Sequence, residues 1–236
     1  MVSKQDEVTY LYRRYTVGIE FLNGIAGGSP VDKGIVANHI AKFSAGVTNA
    51  LKLSKKQNGE VTEEAMNKYM TSVSQVFPLD DDGIYIRGFQ LNAMLKDAAQ
   101  RMKATLKTRG LGNTIRDGGL LFPDRIYLGV EPTIIEKGVK PDNGPSNIKI
   151  FQVAEGVKLT LPCAVLDNGD LTDKLFKQMW VVAQGIGLGA NRHLGYGRFK
   201  VTGLKEDGDW DITDLWTNGK AGETSPVPEA VGAAAD

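Results

Sequence analysis

The sequence predicts an α+β fold: a ferredoxin-like layer of helices on an antiparallel sheet, with an inserted helical region and a protruding β-hairpin. Three observations lead there. Segments of strand and helix character follow in the order strand, helix, strand, strand, helix, strand. Apolar residues in the strand-like segments recur every second position, whereas those from Leu91 to Leu106 recur at helical spacing. With 236 residues, 42% of them hydrophobic, the chain can bury a large core. Its length fits one domain with insertions as well as two small ones, and we read one, over residues 1–204.

Tyr15, Val17, Ile19 and Phe21 alternate with Thr16, Gly18 and Glu20, the pattern of a half-buried first strand. Asn23 to Lys33 contains three glycines and a proline and reads as an exposed loop. Two helix-like stretches, about 34–53 and about 62–77, form the insertion. Ile84-Tyr85-Ile86 is a short strand. The helix after it places Leu91, Leu95, Ala98, Ala99, Met102 and Leu106 on one face and Asn92, Lys96, Gln100, Arg101, Lys103 and Lys107 on the other. Residues 125–131 and 147–153 read as strands, joined through Lys137, Lys140 and Pro141 to Gly144 as a basic finger over about 132–150. Val157 to Leu166 alternates again, and Asn168-Gly169 turns the chain. Asp170 can cap a helix that runs to about Gly185, with Leu171, Leu175, Met179 and Val182 as its apolar pattern. Phe199 to Leu204 closes the sheet. Residues 205–216 read as an acidic extension, and 217–236, where Gly, Ala, Pro, Glu and Thr prevail, as a disordered tail.

No run of about 18 apolar residues and no basic-then-apolar amino terminus is present, so neither a membrane span nor export is expected, and the location expected is cytoplasmic. The single cysteine, Cys163, excludes an internal disulfide and reads as a small core residue. Two histidines and one cysteine supply no zinc spacing, and the consecutive Asp80, Asp81 and Asp82 do not match a calcium loop. The formal net charge is zero, yet residues 84–149 carry eleven Lys and Arg against six Asp and Glu, and residues 205–236 carry two against eight. A basic middle of +5 can meet a phosphate backbone while an acidic end of −6 keeps the chain neutral. A solvated charged surface would give the same counts.

Residues 185–199 hold Gly185, Gly187, Gly189, Gly195 and Gly197 together with Arg192, His193 and Arg198. Such glycines permit positive φ and close backbone approach, and the cations supply donors for phosphate oxygens. Gly185, Gly187 and Ala190 also satisfy the dinucleotide fingerprint, but that motif follows a strand and opens a helix, whereas this loop follows a helix and opens a strand. A loop serving only tight turning is the other reading.

Three segments then fall in order: the first strand with its Gly-rich loop; Ile84 to Ala99, Ile-Tyr-Ile-Arg-Gly-Phe-Gln-Leu-Asn-Ala-Met-Leu-Lys-Asp-Ala-Ala; and the second Gly-rich loop, closing in Gly195-Tyr196-Gly197-Arg198-Phe199. Together they resemble the RAMP superfamily of CRISPR-associated RNA-binding proteins, most of all the backbone subunits that hold guide RNA in antiviral effector complexes. Arg87-Gly88-Phe89-Gln90 stands where those subunits usually carry Pro-Gly-Ser, a departure from the standard branches. The resemblance covers most of residues 12–204. It implies a modified RNA-recognition-like domain whose copies stack along a single-stranded guide RNA, with the complementary target strand and other effector subunits as further partners. The finger would lie across the guide. Arg87, Gln90, Lys96, Lys137, Lys140, Lys149, Gly187, Gly189, Asn191, Arg192, His193 and Arg198 are the residues expected to bind nucleic acid, tracking phosphates without reading bases. Phe89 or Tyr196 either stacks on a base or belongs to the core.

Some relatives of this kind cut RNA. Asp32 occupies a place similar to the metal-dependent catalytic aspartate of certain backbone subunits, although an aspartate just before a helix also reads as a cap. His39 raises the guide-processing endoribonucleases, which use an amino-terminal histidine as general acid or base, and equally reads as an ordinary helix residue. The favoured expectation is binding without catalysis and without a cofactor, a divalent metal entering only with a catalytic Asp32. A stand-alone phage or mobile-element relative that binds single-stranded DNA or RNA is the other alternative.

Overall fold

The computed structural model describes residues 11–30, 73–106, 110–139 and 147–210, with Ile212 and Leu215. Asp32, His39, Lys140, the helix expected at about 34–53, most of that at 62–77 and the tail at 217–236 lie outside the described residues. The core is a four-stranded antiparallel sheet in which β12 (Phe199–Trp210), β1 (Tyr12–Phe21), β11 (Lys158–Leu166) and β7 (Leu120–Leu121) lie side by side in that order. Helix α1 (Gly88–Leu106) comes between β1 and β7, and α2 (Asp173–Ile186) joins β11 to β12. The four strands thus sit fourth, first, third, second, with a helix in each crossover, which is the ferredoxin-like arrangement.

Alternation places Tyr15, Val17, Ile19 and Phe21 on the face toward the two helices, where all four are buried. α1 meets them through Leu91, Leu95, Ala98, Ala99 and Met102, the stripe its periodicity predicts. The stripe of α2 differs from expectation. Phe176, Met179, Trp180, Ala183 and Ile186 are its buried residues, while Leu175 and Val182 are only half-buried. The aromatics decide this. Tyr15 packs on Phe176 with centroids 4.8 Å apart, and Trp180 meets Phe199 edge-on at 6.1 Å, so the helix rotates to sink its largest side chains. Fully burying one such side chain is worth about 1.5–3 kcal/mol. Thr172, not Asp170, caps this helix, its Oγ1 accepting from the Leu175 amide. Asp170 belongs instead to the preceding turn, where its amide donates to Asn168 Oδ1.

The Tyr15 phenol is held by a small ionic network at the sheet end. Arg13 Nη1 donates to it at 2.9 Å, and the hydroxyl lies 3.0 Å from Asp173 Oδ1 and 3.2 Å from Glu206 Oε2. Burial, then the bond to Asp173, pushes the phenol's pKa up, so it stays protonated and donating.

A second sheet leans on this core. In it β2 (Ile25–Ala26), β10 (Asn147–Ala154), β4 (Val73–Val76) and β3 (Ser29–Pro30) are joined, and β9 (Thr133–Val139) pairs antiparallel with β10. The finger predicted at about 132–150 is therefore a hairpin rooted in a sheet, with Thr133 opposite Val153 at its base and Val139 opposite Asn147 at its outer end. A smaller sheet joins β5 (Leu79–Asp80), β6 (Gly83–Arg87) and β8 (Arg125–Tyr127).

Several expectations are corrected here. Residues 24–27 are buried rather than an exposed loop, because Ile25 and Ala26 pair with Ala154 and Val153. Residues 73–76, expected at the end of a helix, form β4: Val73 and Val76 stand at helical spacing, but β-branched residues also suit a strand, and parallel pairing with β10 wins. The strand read over 125–131 stops at Tyr127. The closing strand does not stop at Leu204 but runs to Trp210, so the acidic stretch begins inside β12.

Candidate nucleic-acid interface

The second Gly-rich stretch is a packed plug between the two sheets. Gly185 lies inside α2, contrary to expectation, and only from Gly187 onward does φ turn positive: 79° at Gly187, 84° at Gly189, 92° at Gly195 and 78° at Gly197, with Asn191 also left-handed at 51°. The Leu188 amide donates to the Gly197 carbonyl at 2.9 Å, Ala190 to Ala26 at 3.1 Å, and Gly197 to Gly24 at 2.8 Å. Leu194 and Gly195 amides return to Asn191 and Arg192 carbonyls. These donors are satisfied within the chain. Those amides are not free to cradle phosphates, so at these positions the loop backbone faces the protein and not a ligand. Asn191 is likewise turned inward, 7% exposed, its Nδ2 donating to Gln75 Oε1 at 2.8 Å.

What the plug does is hold side chains in two clefts, one on either side. The first has a volume of about 170 Å³ and lies between the start of α1 and the loop, lined by Phe89, Gln90, Ala93, Asp97, Gly189 and Arg192. Phe89 is 62% exposed, a large apolar ring left in solvent beside an exposed guanidinium. Gln90 Oε1 accepts from the Arg87 amide at 3.2 Å, the reach-back that closes a helix start. Arg192 is held across the cleft by Asp97, with Nη1 3.8 Å from Oδ2.

The second cleft, about 550 Å³, lies on the other side of the loop among Leu22, Asn23, Lys137, Glu155, Leu194 and Tyr196. Tyr196 is half-buried, edge-on against Phe151 at 5.4 Å, and Lys137 Nζ stands 5.3 Å from its ring centroid. Tyr196 is thus neither free nor core but wedged between the two.

The structure brings Gln90, Lys137, Gly187, Gly189 and Arg192 to these clefts, with Lys149 facing Lys137 across the hairpin. His193 and Arg198 are exposed on the loop's outer side. Arg87 is exposed at the end of β6. Lys96 sits instead where its charge lowers the pKa of Asp117, behind the bond from Arg116 that dominates that shift. Asp97, Asn23 and Glu155 escape sequence reasoning because nothing local marks them, and only the tertiary fold brings them beside the loop. Among the described residues no group of three or more His, Cys, Asp or Glu is placed to hold a metal, and no helix is long and apolar enough to cross a membrane.

No protein-family model matches the chain, and no curated protein matches it in sequence. Among solved structures it is similar to a chain in the cryo-EM structure of the Type III-B Cmr-beta bound to cognate target RNA, at 15% identity and a TM-score of 0.46. The match covers 83% of this chain and 60% of that one, so this chain spans about three-fifths of its length.

Proposed function

We propose that this protein binds single-stranded nucleic acid without reading its sequence, with guide RNA as ligand and copies of the chain set along it as the backbone of a CRISPR-type ribonucleoprotein. The observation that carries the reading is that each of the two clefts beside the loop is lined by an aromatic ring and a cation: Phe89 and Arg192 in the first, and Tyr196 with Lys137 over its ring in the second. Every base offers a π-face and every nucleotide a phosphate, so such pairs hold any strand. The basic excess of residues 84–149, which include Phe89 and Lys137, supports the same ligand.

The test is fluorescence anisotropy of labelled single-stranded RNA, single-stranded DNA and duplex of equal length, titrated at several salt concentrations. Binding of single-stranded RNA, weakening steeply with salt and independent of base composition, is expected. Equal or tighter binding of single-stranded DNA would move the ligand to DNA, and binding of neither strand would end the reading. Multiple copies on one long strand, seen by mass photometry, would separate a backbone protein from a lone binder. Asp32→Ala and His39→Ala, assayed for cleavage of the bound strand, decide the catalytic alternatives.

A further inference from the structure

Lys137 and Lys149 stand directly opposite one another in the β9–β10 hairpin. In an antiparallel pair, opposed residues project to the same face, so two ammonium groups share one small area. The next residues on that face of the hairpin do not offset this, and Glu155, which lines the Tyr196 cleft together with Lys137, is not within ion-pair distance of it. One pair further in, Ile135 stands opposite Phe151, and these two pack with Ala190, Leu194 and Tyr196 of the loop. Glu136, paired with Ile150, points to the other face. Among the described residues neither lysine has a carboxylate within ion-pair distance, and the near partner of Lys137 is the Tyr196 ring. Like charges set directly opposite weaken a ladder.

We propose that Lys137 and Lys149 form a two-ammonium clamp that closes on one phosphodiester of a bound single strand, and that this phosphate relieves a repulsion built into the hairpin. The clamp deepens the function proposed above and rests on it. A phosphodiester between the two ammonium groups carries one negative charge, which attracts both and offsets their mutual repulsion. Its neighbouring base then lies over the cleft where Tyr196 and Lys137 meet, so the hairpin and the Gly-rich loop grip the same nucleotide. The occupant is the backbone of a polynucleotide, since the cleft beside the clamp provides an aromatic ring for the attached base.

The arrangement makes an unusual demand: one substitution must move stability and binding in opposite directions. Lys149→Gln removes the repulsion, so the free protein should melt about 1–3 °C higher. The same variant should bind a single-stranded oligouridine roughly three- to tenfold more weakly at low salt, with a salt slope shallower by about 0.7. Lys137→Gln and the double variant should weaken binding by little more than Lys149→Gln, since both lysines grip one phosphate. An unchanged or lowered melting temperature in Lys149→Gln, or independent and additive losses of binding, would overturn the clamp. Should the wild-type protein bind no single strand, the proposed function fails by itself. Inorganic tripolyphosphate then tests the clamp alone, which stands if the anion raises the melting temperature of wild type but not of the double variant and falls if it does not.

Discussion

Gly189 lies against Ala26 so closely that a Cβ on Gly189 would stand 2.6 Å from the Ala26 carbonyl oxygen, and its φ of 84° admits few other residues. The Ala190 amide donates to that same oxygen at 3.1 Å. One carbonyl of the first Gly-rich segment therefore fixes the position of the second, and with it the spacing between the Phe89 and Tyr196 clefts.

Gly189→Ala should destabilise the protein by at least about 2 kcal/mol, since it combines strained backbone with overlap against a main-chain oxygen. Gly185→Ala should do the opposite. That glycine is inside α2 with no atom near its would-be Cβ, and alanine there should add about 0.5–1 kcal/mol. Urea unfolding of both variants checks the contrast, and equal effects would show that the loop is not a packed plug.

Phe89→Ala should leave thermal stability nearly unchanged, because the ring is 62% exposed, while weakening single-stranded RNA binding by about 1–3 kcal/mol. Anisotropy and a melting curve on the same preparation separate the two effects. A lowered melting temperature with unchanged binding would make the ring a packing residue.

Asp97→Asn should tighten binding. Arg192 is already held by Asp97 across the cleft at 3.8 Å, so an incoming phosphate competes with that carboxylate and is repelled by it. Removing the charge should improve affinity roughly two- to fivefold at low salt, an advantage that fades as salt rises. Arg192→Gln should weaken binding, and unchanged affinity in both variants would remove this cleft from the ligand path.

Asp80 supplies a pH dependence of definite sign. Burial raises its pKa, but the bonds from Tyr127, the Asp82 amide and Arg125 together outweigh burial and hold it below the usual carboxylate range. A carboxylate with a depressed folded-state pKa contributes stability that is present above its unfolded value, about 3.9, and is lost as pH falls through the folded one. Asp80→Asn should therefore be less stable than wild type at pH 7, and the two should converge as acid is added. Chemical denaturation at a series of pH values from neutral to acid tests it, and a gap that stays constant would exclude the linkage.

Much of this was legible in the chain itself. Alternation at Tyr15, Val17, Ile19 and Phe21 and the stripe on α1 are local patterns set by strand and helix geometry, and both survive in the structure. The hairpin through Lys137 and the break at the Gly-rich stretch belong to the same class, because turn residues and periodicity act over a few positions. Other features depend on partners far away in sequence. Leu120–Leu121 has no period to read, and it becomes a core strand only because Ala164 and Val165 stand beside it. Val73 and Val76, three positions apart, fit a helical period, and only pairing with β10 makes the segment a strand. The loop glycines announce positive φ in sequence, but that the Ala190 and Gly197 amides face the protein was decided by carbonyls at Ala26 and Gly24, more than 160 residues earlier. The placing of Phe89 and Arg192 in one cleft and the pairing of Tyr196 with Lys137 had the same origin: short-range periodicity determined the elements, while long-range packing of two sheets around one loop determined which side chains come together.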